Sequence, residues 1–304
     1  KGKIRSRFGF DLLWEDRMGG QMDFDRMKDE GTTTSYGISL TTKRIHVFEN
    51  TGFSVNPDRN SSIGINADVI YHDQQSMYGL TRYDATQVSG YLNALLISDI
   101  GSTRHKITTG LSLQYDHFRE NMKDTLMVRE EIVPGIYGEY TFNDHNHWTV
   151  LLGIRGDYDN LYGFMVNPRL HVKYSPWKNS TFRVSAGHGS RTANVIPEHI
   201  GLLASSRNFV FEEELRQEQA WNYGISFVQK MQFGDKRKAT FSMDLFRTDF
   251  QNQVVIDVDR SPEAVYFYNL QGPSYSNSFL YCLMSAFLGS VSILFSASRS
   301  SGFR

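Results

Sequence analysis

One short segment of the chain has the composition of a possible metal site. Asp144, His145 and His147 place a carboxylate and two imidazoles within four positions, and both groups are metal ligands in proteins. The surrounding segment 143–147 is also rich in Asn and Asp, which favour turns. A solvated turn therefore explains the segment without a metal, and we predict no metal site.

A pair of acidic residues could in principle perform general acid–base chemistry. Asp157 and Asp159 flank Tyr158, but they lie where a predicted strand ends, and polar residues are ordinary there. The sequence contains no phosphate-cradling glycine loop, nucleophile triad or Cys–His cluster. We therefore predict that the protein is not an enzyme and has no catalytic residue and no cofactor.

Three arginines fall on one face of the predicted strands. The alternation of residues places Arg155, Arg169 and Arg183 on the side opposite the apolar residues. Such a row of cations could meet an anionic ligand. It could equally form a network with Asp and Glu residues of the same face, and we favour this second interpretation.

The segment 190–216 is the strongest candidate for ligand binding. It is long, it has an apolar stretch at 200–204, and it contains four polar side chains suited to recognition, Arg191, Asn194, His199 and Arg207. Loops on a rigid scaffold are where binding residues concentrate. The alternative is that the loop only packs over the mouth of the fold.

The elements that must position these residues are strands. Within 167–194, two runs alternate apolar and polar residues with period 2 on either side of a short turn at 175–179, which indicates a β-hairpin. The polar face carries several full charges, whereas a strand of a soluble sandwich has a milder one. Charge on one face and aliphatic or aromatic residues on the other are typical of membrane β-barrels.

Composition supports a barrel and excludes other classes. The 304 residues contain 32 Lys plus Arg against 33 Asp plus Glu, so no net field attracts nucleic acid. No stretch approaches the ~20 apolar residues of a membrane-spanning helix. Phe and Tyr together number 37, and barrels use such residues at the membrane interface. The single cysteine, Cys282, permits no internal disulfide.

Loop lengths alternate along the chain. Short turns are predicted at 100–105, 143–147, 176–179 and 234–238, and long loops at 15–35, 73–88, 119–131 and 190–216. We therefore predict an all-β fold, an antiparallel transmembrane β-barrel fragment of about twelve strands of ~9–11 residues, with long extracellular loops and short periplasmic turns. The predicted lipid-facing residues are Leu111, Leu113, Leu152, Ile154, Val172 and Val184. The predicted lumen-facing residues are Gln114, Arg155, Arg169 and Arg183.

A series of segments carries a family resemblance. It includes SIGINADVIYHDQQSMYG at 62–79, NPRLHVKYSP at 167–176, RVSAGHGSRTANVIPEH at 183–199 and the run beginning DLFRTDFQNQVV at 244. In this order they resemble the barrel of TonB-dependent outer-membrane receptors, most closely the Bacteroidetes-type members. The resemblance covers nearly all of the chain from residue 1 to about 279.

The resemblance implies a receptor for active transport in the outer membrane of a Gram-negative cell. It would bind a scarce ligand, such as a siderophore, cobalamin, another metal chelate or an oligosaccharide, and import it with TonB energy. The implied partners are outer-membrane lipid, the receptor's own plug domain and the TonB–ExbB–ExbD complex. Family members carry a plug and a TonB box, which this sequence does not show, and we expect a fragment of a longer protein. A passive porin or barrel adhesin is the alternative, and a soluble β-sandwich comes third.

The C-terminal segment departs from this pattern. We assign 1–279 to a partial receptor barrel and 280–304 to an aberrant tail, because composition there becomes Ser-rich and apolar. A frameshifted or chimaeric end is the preferred hypothesis. A divergent pair of strands is the alternative.

Overall fold

The computed structural model describes residues 4–205, 207–233, 237–287 and 290–294. Most of them are in strands. The strands are β1 (Ile4–Gly20), β2 (Gly37–Asn56), β3 (Ser61–Tyr78), β4 (Thr81–Ile100), β5 (Ser102–Met122), β6 (Thr125–Asn143), β7 (Trp148–Asp159), β8 (Gly163–Tyr174), β9 (Ser180–Arg191), β10 (Asn208–Phe211), β11 (Glu218–Phe233), β12 (Arg237–Asn252), β13 (Val254–Asp257), β14 (Ala264–Asn269), β15 (Ser274–Phe287) and β16 (Ser290–Leu294).

Among the described residues, helical structure is confined to short turns. They are α1 (Arg26–Asp29), α2 (Val195–Glu198) and two 3-10 turns, Pro57–Arg59 and Ile200–Ala204. Within the described ranges, no helix is long and apolar enough to cross a membrane.

One antiparallel sheet dominates the fold. Its strand order is β1 to β9, then β11, β12, β15 and β16, so the strands of this sheet pair in the order in which they follow one another along the chain. The prediction of about twelve strands is confirmed, since β15 is the twelfth strand of this sheet. A second, three-stranded sheet of order β10–β14–β13 is built from two of the connections.

The predicted strand length is wrong for most of the sheet. β7, β8 and β9 have 12 residues each, but the neighbouring β4 and β5 have 20 and 21. The segments 73–88 and 119–131 are not loops, because they form the ends of two tall hairpins joined by the two-residue turns 79–80 and 123–124. These hairpins keep their ladder hydrogen bonds although their residues are polar.

The connections divide between two edges of the sheet. The turn edge holds 57–60, Gly101, 144–147 and 175–179, which are all short. The predicted turn at 234–238 joins β11 to β12 there, and its residues 234–236 lie outside the described part. The opposite edge, called the loop edge below, holds the connections 21–36, 79–80, 123–124, 160–162, 192–217 and 253–273. The long connection 253–273 was not among the predicted loops.

The two faces of the sheet differ in chemistry, as the alternation predicts. Leu152 and Ile154 are 51% and 58% exposed on one face, whereas Arg155 bonds to Ser112 and Asp157 on the other. The predicted apolar set shares the first face, with Leu111, Leu113 and Val184 exposed and Val172 half-buried. A face of exposed aliphatic side chains is stable when its solvent is hydrocarbon.

Aromatic side chains border this apolar face near the turn edge. The Trp148 and Tyr174 rings stack with centroids 4.1 Å apart, and the Phe182 and Phe227 centroids lie 4.5 Å apart. On β7 the apolar face ends toward the loop edge at Tyr158, ten residues from Trp148. At about 3.3 Å per residue and a tilt near 40°, that distance spans about 25 Å, the height of a barrel's apolar band.

The C-terminal strands continue the sheet. β15 pairs with β12 from Phe250↔Ser274 to Arg237↔Phe287 and then with β16. The predicted tail 280–304 lies partly outside the described residues, and its assignment as an aberrant segment stays a prediction.

Candidate functional site

The connection 192–217 packs on the tall hairpins at the loop edge. β7 and β8 are short, so the loop passes over their turn and reaches the extensions of β3 to β6. Ile196 and Leu203 are 3% and 1% exposed and form a cluster with Tyr78 and Tyr83. Partly buried Ile38, Ala85, Met122, Met127, Ile200 and Phe209 surround this cluster. The loop is therefore a packed element, fixed by a small hydrophobic core.

Two polar contacts fix the start of the same loop to β6. The Arg129 guanidinium donates to the Asn194 side-chain oxygen and stacks on the Phe118 ring, 4.5 Å from its centroid. The Thr192 hydroxyl donates to Glu131 Oε2 at 3.1 Å. Burial raises the pKa of Glu131, against the opposing effects of Arg129 and Thr192.

The connections 192–217 and 253–273 enclose a cleft of about 600 Å³. We call it the loop cleft. It is lined by Arg191, Ala193, Val195, Glu198, His199, Glu218, Gln253, Val254, Val255, Ile256, Asp257, Val258, Asp259 and Tyr268. Because β11, β13 and β14 supply much of the lining, the cleft is built on hydrogen-bonded strands.

Two of the four predicted ligand-binding residues line the loop cleft. Arg191 binds Glu218 Oε2 at 2.7 Å and Glu198 Oε2 at 2.9 Å. Its burial disfavours the charged guanidinium, but the bonds to these two carboxylates outweigh burial and raise its pKa. His199 is exposed at the rim. The Arg191 guanidinium therefore joins β9, α2 and β11.

The other two predicted residues lie beside the cleft. Asn194 accepts a hydrogen bond from Arg129, and its backbone N–H donates to Glu198 Oε1 at 2.9 Å. The Arg207 guanidinium donates to the Val258 carbonyl at 2.7 Å and so connects the two long loops. The structure thus brings all four residues to one region, where three of them hold the loops together.

Part of the cleft lining was missed by the sequence interpretation. Asp257, Asp259 and Tyr268 belong to the connection 253–273, which was not among the predicted loops, and its segments 254–258 and 264–269 do alternate or run apolar. Ser261 and Pro262 interrupt this run, and such a break is the signal that could have identified a loop.

The arginines predicted to face the lumen lie on the polar face of the sheet. Arg155 Nη2 binds Asp157 Oδ1 at 2.7 Å, and Arg169 forms an ion pair with Glu139. The same face carries a cavity of about 310 Å³ lined in part by Arg155, Arg169 and His188. Arg183 lines another cavity of that face, together with Lys173 and Asp244.

The acidic residues considered for metal binding and for acid–base chemistry stabilise turns. Asp144 Oδ1 accepts the backbone N–H groups of Asn146, His147 and Trp148, each at 2.8 Å. These bonds lower its pKa and close the turn before β7. Asp159 Oδ1 likewise accepts the backbone N–H of Leu161 at 2.7 Å in the β7–β8 turn. Among the described residues, no group of three or more His, Cys, Asp or Glu side chains could hold a metal ion.

The fold and its two faces define a class of protein. A long antiparallel meander has an exposed apolar face of bilayer height, an aromatic border, a charged opposite face and long loops at one edge only. Backbone groups in hydrocarbon must be paired within the protein, and strands achieve this in closed barrels. The chain forms part of the wall of a transmembrane β-barrel.

The family follows from the comparison of sequences. The family model described as "TonB dependent receptor-like, beta-barrel" matches residues 3–278, so the chain belongs to this family. A comparison with curated proteins gives no match.

Solved structures show the same fold at low sequence identity. The outer membrane transporter YddB from Escherichia coli has a TM-score of 0.66 and 11% identity, covering 94% of this chain and 43% of that one. The siderophore receptor PiuA from Acinetobacter baumannii has a TM-score of 0.60 and 12% identity, with coverages of 94% and 52%. The copper transporter OprC has a TM-score of 0.57 and 12% identity, with coverages of 92% and 50%. The chain spans about half the length of these three proteins.

Proposed function

We propose that this chain is part of an outer-membrane receptor that binds a scarce ligand at its loop edge and imports it with energy from TonB. The observation that supports this most is the loop cleft. It lies at one edge of a rigid sheet, where the long connections meet, and loops held by a scaffold are the usual place for recognition. The ligand class comprises siderophores, other metal chelates, cobalamin and oligosaccharides.

The family and the printed names of similar structures support transport as the activity. Those names include a siderophore receptor and a copper transporter, which are properties of those proteins. In the proposed receptor the loop edge faces the outside of the cell and the turn edge faces the periplasm. The polar face, with Arg155 and Arg169, then lines the lumen and contacts the receptor's plug domain, and the TonB–ExbB–ExbD complex supplies the energy.

The orientation is tested with cysteines in the complete receptor on whole cells. After Cys282→Ser, we place a single cysteine at Glu263 or at Lys178, which are both exposed and lie at opposite edges. A membrane-impermeant maleimide should label Glu263→Cys in intact cells and Lys178→Cys only after permeabilisation. The opposite result would invert the orientation.

The activity is tested by uptake in cells with and without TonB. Radiolabelled iron chelates, copper, cobalamin and maltooligosaccharides are supplied in turn to cells that carry the complete receptor. One of them should accumulate only when both receptor and TonB are present, and replacing 195–204 by a short Gly linker should reduce that uptake. Accumulation independent of TonB would support a passive porin and contradict the proposal.

A further inference from the structure

We infer that the loop cleft takes an organic cation, a molecule with one or two ammonium or guanidinium groups on an apolar body. This inference rests on the proposed function and specifies the charge of the ligand that the receptor binds. It is drawn from the chemistry of the cleft lining, in which carboxylates, an aromatic ring and aliphatic side chains surround one cavity.

The lining has a negative balance. Four carboxylates belong to it, and Arg191 is its one guanidinium, so three negative charges remain with His199 neutral. Arg191 is already bound by Glu198 and Glu218, so it has little capacity left for an anion. Arg207 lies beside the cleft, bound to the Val258 carbonyl. Its positive charge reduces the net negative charge of the cleft by one but leaves it negative.

The two carboxylates of the 253–273 connection provide the attraction. Asp257 Oδ1 accepts the backbone N–H groups of Asp259 and Arg260 at 3.0 Å, which fixes the turn and presents both side chains at the rim. Among the described residues neither carboxylate forms an ion pair, whereas Arg260, the nearest cation in sequence, pairs with Glu212. A ligand cation would therefore meet two carboxylates that are not already neutralised by an ion pair.

Part of the cleft lining is aliphatic or aromatic and can contact an apolar body. Val254 and Val255 are each 9% exposed and lie beside Ile256 and Val258 in the lining. Tyr268 is the cross-strand neighbour of Val255 and adds an aromatic ring, whose face attracts a cation. A volume of about 600 Å³ fits an organic ligand of drug-like size, because such sites measure about 300–1,000 Å³.

The experiment measures binding to the complete purified receptor in detergent. The probe is Phe-Arg-β-naphthylamide, a fluorescent dication with an apolar body, and the control ligand is N-acetyl-Phe-Glu-β-naphthylamide, which is similar in shape but anionic. The variants are Asp257→Asn, Asp259→Asn and the double variant, because asparagine keeps the acceptor oxygen and removes the charge. The matched control is Glu263→Gln, an exposed carboxylate of the same connection outside the cleft lining.

The dication should bind more tightly than the anion, and added salt should weaken its binding. Each single Asp→Asn change should weaken dication binding about two- to fivefold, the effect of losing one solvent-exposed ion pair, and Glu263→Gln should leave it unchanged. Absence of dication binding, equal binding of the two ligands, or an unaffected double variant would overturn the inference. TonB-dependent uptake is measured separately, so a receptor that imports an anionic ligand would refute this inference and retain the proposed function.

Discussion

Two apolar side chains of the same strand, β4, differ greatly in their exposure. On β4, Tyr83 near the loop edge is 1% exposed, whereas Leu92 nearer the turn edge is 48% exposed. Both belong to the same ladder with β3. Side chains alternate along a strand, so Tyr83 lies on the polar face of the sheet and Leu92 on the apolar face. The medium that each face meets therefore decides where an apolar side chain is stable.

In the apolar band, which on β7 runs from Trp148 to Tyr158, the apolar side chains need not be buried by other parts of the protein. Lipid tails are the solvent of that face, so Leu152 and Ile154 remain exposed in the protein alone. On the polar face above the band the hairpins meet water, where apolar surface is stabilised by burial at roughly 25 cal/mol per Å². The loop 192–217 supplies that burial with Ile196 and Leu203.

The largest effect is expected in the small core above the band. Leu203→Ala removes a fully buried side chain and leaves a cavity, which should destabilise loop docking by about 2–5 kcal/mol. The barrel should remain assembled, because the ladder hydrogen bonds are untouched. Hydrogen exchange of the amides of 195–205 in the complete receptor measures the change. Leu161→Ala, at an exposed position of the same edge, should have little effect, and equal effects of the two variants would show that the loop is not packed.

The second-largest effect is expected from placing a charge on the lipid-facing side of the apolar band. Leu152→Arg on the lipid-facing side should cost about 2–4 kcal/mol of barrel stability near mid-bilayer. The neighbouring change Leu151→Arg lies on the opposite face, away from lipid, in a cavity where the Asp244 carboxylate can offset the charges of Lys173, Arg183 and the new guanidinium, so we expect a smaller cost. Unfolding by denaturant in lipid vesicles measures both. A greater cost for Leu151→Arg would mean that the assignment of the faces is inverted.

The same comparison explains what the sequence could predict. In the lower band the two faces meet different media, so apolar and polar residues alternate and the strands, their count and their faces could be assigned. In 73–88 both faces meet water or protein, the alternation fades, and a continuous ladder was predicted as a loop. The turn Lys123–Asp124 has φ angles of 48° and 65°, which suits a tight hairpin turn, but it lacks the Asn-Gly or Asp-Gly signal that would identify one.

The sequence predicted the position of the candidate site better than the contacts that its residues make. The residue types of 190–216 identified Arg191, Asn194, His199 and Arg207, which the structure gathers at one region. Their ion pairs could not be predicted, because Glu218 and Val258 come from other elements and meet them only through the sheet order. Asp257 and Asp259 were missed because the connection 253–273 was not recognised as a loop.

A smaller effect is expected for the hydrogen bond of the buried tyrosine. The Tyr83 hydroxyl donates to Glu120 Oε1 at 2.6 Å, and burial raises the pKa of Tyr83 well above its usual range, so the hydroxyl stays a donor. Tyr83→Phe keeps the packing and removes this bond to a carboxylate, which should cost about 1–2 kcal/mol. The measurement is hydrogen exchange in β4 and in the loop. The double variant Tyr83→Phe/Glu120→Gln should lose little more stability than Tyr83→Phe alone. If the losses of the two single variants added up in the double variant, the two side chains would not interact.

The smallest effect is a pH dependence restricted to the region above the band. Glu131 is 5% exposed and lies beyond the β7–β8 turn, where the Ile132 N–H donates to Asn160 Oδ1 at 2.7 Å. Burial, with the nearby Asp159 and Asp116 carboxylates, raises its pKa above the ordinary 4.5. When the loop opens, Glu131 becomes solvated and its pKa falls, so the closed state binds the proton more tightly.

The contribution of Glu131 to loop closure should therefore be fully present below its ordinary pKa and be lost as the pH rises through its raised pKa in the closed state. The opening constant from hydrogen exchange of 193–204, corrected for intrinsic rates, should be a few-fold smaller at pH 5 than at pH 7.5. Glu131→Gln keeps an acceptor for the Thr192 hydroxyl and cannot titrate, so its opening constant should be independent of pH over this range. The amides of β7 between Trp148 and Tyr158 serve as the internal control, since no change is expected in the lipid band. If the Gln variant retained the full pH dependence, the titrating group would be another carboxylate and Glu131 would only support the packing of Thr192.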